Sequence, residues 1–241
     1  MQKDISIKSK DKKFRIYGTF DELVKSESLI IFVHGLTGNK NHHQFYNAAK
    51  YFTKHKYSTY RFNLYSGEKN GRSLEDCTIS THTEDLNEVV KYFKSKFKNI
   101  YLVGHSLGGP VILNANLSAI SRIVLWDPSV KTKTEDDEFN WYSFNKSLNA
   151  YVASWGISYV VSKGLFKEWN NLDYDKWVEN CTMPLKIVCA GDGILKGEWK
   201  NLIKKFKVEK ELIVIKNAGH CFDEGDTEKE LFIESLSWFK K

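Results

Sequence analysis

The segment Ile100-Tyr101-Leu102-Val103-Gly104-His105-Ser106-Leu107-Gly108-Gly109 decides how this chain folds. Its apolar start predicts a buried strand, and the residues after the serine are compatible with a helix. A serine on a tight strand-to-helix turn needs unusual backbone angles, and Cβ atoms two positions away on either side would collide. The pattern Gly104-x-Ser106-x-Gly108 therefore predicts that the Ser106 hydroxyl is presented as a nucleophile.

Strand and helix patterns alternate on both sides of this segment. Buried strands are predicted at 29–33, 58–64, 123–126, 185–190 and 212–215, with helical patterns between most of them. Two alternating segments, 5–7 and 14–20, are typical of half-buried antiparallel strands. The alternation predicts an α/β fold with a mostly parallel sheet covered by helices on both faces.

Residues 127–183 interrupt this alternation. They are polar and irregular, and they contain many aromatic residues: Trp141, Tyr142, Phe144, Tyr151, Trp155, Tyr159, Phe166, Trp169, Tyr174 and Trp177. We interpret the segment as a lid of short helices inserted into a core formed by residues 1–126 and 184–241. The aromatic side chains suit an apolar or aromatic substrate group, but they would equally suit the lid's own core.

Composition excludes several classes of function. The net charge is +6, but lysines are interleaved with acids rather than clustered, so we expect no nucleic-acid partner. No apolar run of eighteen residues predicts an integral membrane segment, and the N-terminus lacks the features of a secretory signal. The four cysteines form no C-x-x-C pair, which favours reduced thiols in a cytoplasmic protein.

A serine nucleophile needs a base to take its proton. His220 follows the last predicted strand, where a loop residue can reach the Ser106 turn. The side chain of His105 is expected to point away from Ser106. The remaining histidines near helices are interpreted as surface or local hydrogen-bonding residues: His42, His43, His55 and His82.

The acid that orients His220 has two candidates. The chain order serine, acid, histidine favours Asp192, which follows the strand at 185–190. Asp127, after the strand at 123–126, is the alternative because an acid there could approach the same histidine. Two backbone N–H groups should hold the oxyanion, one from Leu107 and one from Leu36, which directly follows His34-Gly35. We expect no metal and no cofactor.

Four motifs occur in the order found in one large family. They are His34-Gly35-Leu36-Thr37-Gly38, Gly104-His105-Ser106-Leu107-Gly108-Gly109, Gly191-Asp192 and Gly219-His220. The set resembles the α/β-hydrolase superfamily over nearly the whole chain. This resemblance implies an eight-stranded sheet with a lid after the sixth strand.

Further residues resemble the serine aminopeptidase-like branch of that superfamily, which includes feruloyl or cinnamoyl esterases and monoacylglycerol lipases. They are Asn63, Gly71-Arg72-Ser73, the segment 74–79 and Asp85-Leu86. The chain departs from the branch at 65–71, where a Gly-His-Gly run is usual.

The sequence therefore predicts a serine hydrolase that cleaves a small-molecule ester or thioester through an acyl-enzyme. Two alternatives stay open: a catalytically silent ligand-binding protein on the same scaffold, and a serine aminopeptidase for short peptides. The sequence also leaves open whether the chain forms a homodimer.

Overall fold

The computed structural model describes residues 1–131, 142–154 and 158–241. Its main sheet has eight strands in the order β1-β2-β4-β3-β5-β6-β10-β11. The strands are β1 (Gln2–Lys8), β2 (Arg15–Asp21), β3 (Ser28–Val33), β4 (Ser58–Phe62), β5 (Asn99–His105), β6 (Arg122–Trp126), β10 (Leu185–Ala190) and β11 (Lys210–Ile215). The first two strands pair antiparallel to their neighbours, and the other six are parallel. The predicted fold class is thereby confirmed.

Helices cover both faces of this sheet. They are α1 (His43–Lys54), α2 (Ile79–Phe93), α3 (Gly108–Leu113), α6 (Lys196–Leu202) and α7 (Thr227–Phe239). On one face, Phe45 and Phe52 of α1 pack with Phe32, Trp126 and the apolar side of α7. On the other face, α2, α3 and α6 cover the remaining strand residues. Because both faces are buried, the central strands are continuously apolar.

The segment between β6 and β10 contains strands that the sequence did not predict. β7 (Tyr142–Asn145), β8 (Ala150–Ser154) and β9 (Ser158–Val161) form a small antiparallel sheet. The short helices α4 (Lys163–Asn170) and α5 (Tyr174–Asn180) follow them. Two of the aromatic residues noted above, Trp141 and Trp155, lie outside the described residues, as does the side chain of Tyr142. The residue bounds of a separate lid stay a prediction.

Hydrogen bonds attach this segment to the core. The Asn180 side chain donates to the Leu113 carbonyl at 2.8 Å, and Glu168 accepts from the backbone N–H of Ser80 at 2.7 Å. Ser162 Oγ donates to the carbonyl of Cys77. Side chains of β8, β9 and α4 line the same cavity as residues that follow the parallel strands, and ligands bind at the carboxyl ends of strands in sheets of this kind. Within the described residues, no helix is both long and apolar enough to cross a membrane.

Candidate active site

Ser106 sits on a strained turn between β5 and α3. Its φ is 52°, in the left-handed region that residues with a Cβ atom seldom adopt. A Cβ atom on Gly108 would lie 2.2 Å from the Val33 carbonyl oxygen, and one on Gly104 would lie 2.7 Å from the Gly108 carbonyl oxygen. Backbone crowding therefore explains both glycines of the motif, as the sequence predicted.

His220 is paired with Asp127. The ring Nδ1–H donates to Asp127 Oδ2 at 2.6 Å, so Nε2 is the ring nitrogen that the carboxylate does not hold. Asp127 is buried, with only 1% of its side chain exposed, and its other oxygen accepts from the backbone N–H of Ala190 at 3.1 Å. The carboxylate is thus fixed from two sides before it reaches the histidine.

This pairing differs from the expectation that Asp192 would orient His220. Asp192 does follow β10, but its side chain is exposed and makes no hydrogen bond to any described residue. Its backbone N–H donates to the Ala218 carbonyl at 2.9 Å. Chain order could not decide between the acids, because both lie between Ser106 and His220. The order of strands in the sheet distinguishes the two acids. β6, which precedes Asp127, lies between β5, which precedes Ser106, and β10.

Ser129 contacts Ser106, a contact that the sequence analysis did not predict. Its hydroxyl lies 3.1 Å from Ser106 Oγ, and its backbone N–H donates to the Ser106 carbonyl at 3.1 Å. In the part of the chain that the structure describes, Ser106 Oγ has no hydrogen bond to His220. The one clue in the sequence was the place of Ser129, because Asp127-Pro128-Ser129 directly follows a predicted strand, at the end where ligands bind in parallel sheets.

The hydrogen bonds around Gly35 set the direction of the Leu36 N–H, the first of the two predicted oxyanion donors. The Gly35 carbonyl accepts from His34 Nδ1 at 2.7 Å and from the Gly38 N–H at 3.2 Å. In a trans peptide the following N–H points the opposite way. The N–H of Leu36 therefore points away from both donors, and it has no partner among the described residues.

The same argument applies to the peptide after Ser106. Its carbonyl accepts from the N–H groups of Gly109 at 2.9 Å and Ser129 at 3.1 Å. The N–H of Leu107 accordingly faces the other way and is unpaired within the described ranges. A Cβ atom on Gly35 would lie 2.9 Å from Ser106 Cβ, so glycine is what lets the two loops approach each other.

His34 and His105 hold the loops rather than reach the reacting centre. His34 Nε2 accepts from the backbone N–H of Leu64 at 2.9 Å, so its proton must be on Nδ1. Burial lowers the pKa of His34 to about 4, and this ring is neutral at pH 7. His105 Nε2–H donates to the His220 carbonyl at 2.8 Å and fixes the loop that carries His220.

His82 is not the surface residue that the sequence suggested. It is fully buried on α2, near Tyr65, and neither ring nitrogen has a hydrogen-bond partner among the described residues. Burial lowers its pKa to about 3. The helical spacing does indicate this burial, because His82 lies on the same face of α2 as Leu86 and Val89, which are buried. His42, also taken as a surface residue, lines the cavity beside Ser106.

A cavity of about 630 Å³ opens beside Ser106. The main sheet and its helices and loops contribute Leu36, Phe45 and Leu195, and the segment between β6 and β10 contributes Ala153, Val161, Leu165, Phe166 and Trp169. Ser106, Asp127, Ser129 and His220 all line it. The described residues contain no group of His, Cys, Asp or Glu side chains placed to hold a metal ion. The arrangement can activate a hydroxyl next to an apolar chamber.

Comparisons with known proteins agree with this architecture. A family model described as the alpha/beta hydrolase fold matches residues 28–155, which is more than half of the chain. No curated protein matches the sequence.

Three solved structures show how widely the fold is shared. GrgF, an alpha/beta hydrolase from a Penicillium species, has a TM-score of 0.79 at 16% identity, over 100% of this chain and 98% of its own. Est1E from Butyrivibrio proteoclasticus, in a complex with ferulic acid, has 0.75 at 18%, over 97% and 99%. Dienelactone hydrolase from Anabaena variabilis has 0.72 at 12%, over 100% and 97%.

Proposed function

The chain belongs to the α/β-hydrolase fold family, and from that premise we propose that it is a serine hydrolase acting on carboxylic esters or thioesters. The observation that carries the proposal is the hydrogen bond of 2.6 Å between His220 and the buried Asp127, at the edge of the cavity that also contains Ser106. A buried carboxylate paired with a half-exposed imidazole beside a strained serine is the arrangement that activates a hydroxyl.

In the proposed reaction, the Ser106 side chain breaks its hydrogen bond with the Ser129 hydroxyl and rotates so that Oγ approaches Nε2 of His220. Nε2 takes the hydroxyl proton as Oγ attacks the acyl carbon. Asp127 keeps the imidazole in the correct tautomer and stabilises the imidazolium that forms. The N–H groups of Leu36 and Leu107 receive the negative charge on the carbonyl oxygen, and each such donor is worth on the order of 3 kcal/mol at the transition state.

The tetrahedral intermediate then collapses. The bond to the leaving alkoxide or thiolate breaks, and His220 returns the proton to it, which leaves an acyl-enzyme on Ser106. Water attacks the acyl carbon with His220 again as base, and the second collapse releases the acid and restores the hydroxyl. No other co-reactant is needed.

The test is turnover of p-nitrophenyl esters together with labelling by a fluorophosphonate probe. Ser106→Ala should abolish both, and the exposed Ser118→Ala is the matched control that should change neither. Turnover that persists in Ser106→Ala would refute the proposal. Absence of labelling in the folded wild-type protein, combined with tight binding of a small ligand, would favour a silent binding protein instead.

A further inference from the structure

Asp192 is left without a catalytic partner, although it lies at the cavity beside the candidate triad. The backbone hydrogen bond to Ala218 fixes its position in the loop after β10. Its neighbour Gly193 packs close to Asp127, since a Cβ atom there would lie 3.2 Å from Asp127 Oδ2. These contacts hold the Asp192 backbone beside the candidate triad, and its exposed side chain lines the cavity.

The walls behind that mouth are apolar. Phe166 stacks on Tyr151 with ring centroids 3.7 Å apart, and Trp169 and Leu165 continue this wall from the lid side. Ile194, directly after Gly193, lines the mouth with 68% of its surface exposed. An exposed apolar residue at a pocket entrance is suited to contact an apolar ligand rather than water.

Apart from histidines, the ionisable side chains among the described lining residues are acidic or cysteine. The sequence has 36 lysine and arginine residues, yet none of them is among the described residues that line this cavity. Lys196, near Asp192 in the chain, directs its ammonium group to the Gly191 carbonyl. Asp127 is paired with His220, so Asp192 is the carboxylate of this lining that lacks a cationic partner. An anion entering the cavity would lose hydration and would contact no lysine or arginine side chain in its described lining.

Building on the proposed hydrolase function, we propose that the site accepts uncharged esters with apolar acyl groups and rejects carboxylate-bearing ones, and that Asp192 contributes to this selection by charge repulsion. Two unit charges about 4 Å apart in water interact by an amount equal to about fivefold in an equilibrium constant. The larger share of the discrimination comes from desolvation of the anion against apolar walls, for which we expect about a hundredfold.

The experiment compares three p-nitrophenyl esters with acyl chains of equal length. The chain ends in a methyl group, a carboxylate or a trimethylammonium group. For the wild-type protein, kcat/KM should fall in the order neutral, cationic, anionic, with about a hundredfold between the first and the last. Asp192→Asn should reduce the neutral-to-anionic ratio about fivefold, and Asp192→Lys should reduce it further. Glu230→Gln removes an exposed charge on α7 and should leave the ratio unchanged.

A second readout is independent of turnover. Dissociation constants of the same three esters on Ser106→Ala, measured by calorimetry, should follow the same order. If no ester is hydrolysed but the order of binding holds, the hydrolase function fails and the charge selection stands. If both kcat/KM and the dissociation constant of the carboxylate ester lie within about threefold of those of the neutral ester, the selection is overturned while the hydrolase function stands. If Asp192→Asn and Glu230→Gln had the same neutral-to-anionic ratio of kcat/KM, Asp192 would not contribute to the selection.

Discussion

Asp127 and His220 are 93 positions apart in the chain, and their side chains meet at 2.6 Å. The contact is possible because Asp127 directly follows β6, which lies between β5 and β10 in the sheet. The end of β6 is therefore next to the Ser106 turn on one side and close to the loops after β10 and β11 on the other. A carboxylate at this position can accept a hydrogen bond from His220, which lies in the loop after β11 at the edge of the sheet.

This relationship gives a direct test of the triad acid. Asp127→Asn should lower kcat for a neutral ester by about 10³- to 10⁴-fold, because the amide can no longer hold the required imidazole tautomer. Asp192→Asn should lower it far less, since its side chain does not reach His220. The measurement is steady-state hydrolysis by both variants, with thermal unfolding to show that each is folded. A reversed ranking would make Asp192 the acid.

The oxyanion loop depends on His34. His34→Phe keeps a ring of similar size but removes the hydrogen bonds to the Gly35 carbonyl and the Leu64 N–H. The Leu36 N–H would then lose its fixed direction, and kcat should fall about tenfold to a hundredfold with less change in KM. The control is His55→Phe, on the exposed end of α1, for which we expect no change in kcat. A folded His34→Phe variant with full activity would show that His34 does not hold the loop.

Gly108 should tolerate no side chain. Gly108→Ala places a Cβ atom against the backbone of β3, which cannot move without disturbing the sheet. We expect the free energy of unfolding to fall by about 2 kcal/mol or more. Gly197→Ala on α6 is the matched control, because nothing lies within 4 Å of its Cβ position, and it should stabilise the protein by up to about 1 kcal/mol. Urea unfolding of both variants tests this, and equal effects would contradict it.

Buried neutral histidines should make the protein sensitive to mild acid. The folded-state pKa of His34 is about 4 and that of His82 about 3, against 6.5 for an ordinary histidine. Between pH 6.5 and about 4 the unfolded chain binds protons that the folded chain does not, so stability falls as the pH falls. Asp85 opposes this trend, because burial raises its pKa to about 6 and the folded chain then binds the extra proton.

His82 offers a way to measure one contribution. His82→Leu replaces a buried ring without hydrogen-bond partners in the described chain by an apolar side chain. In that window it should reduce the slope of unfolding free energy against pH by about 1.4 kcal/mol per pH unit. Urea unfolding at half-unit intervals from pH 4.5 to 7 gives both slopes. Parallel curves for the variant and the wild-type protein would show that His82 does not titrate in this way.

The sequence by itself determined the strand-to-helix turn at Ser106 and the pattern of strands and helices in the main sheet. These features depend on short-range physics: the apolar runs of buried strands, and glycines wherever a Cβ atom would strike nearby backbone. The α/β fold class followed from the same periodicities.

Only the tertiary structure decided which acid meets His220 and that Ser129 contacts Ser106. Each of these depends on which strands become neighbours in the sheet, and no local pattern records that order. The small sheet of β7, β8 and β9 escaped prediction for a related reason: short strands that pair only with each other carry little periodic signal. Both acids lie between Ser106 and His220 in the chain, so chain order does not distinguish them. The order of strands across the sheet places Asp127 in contact with His220.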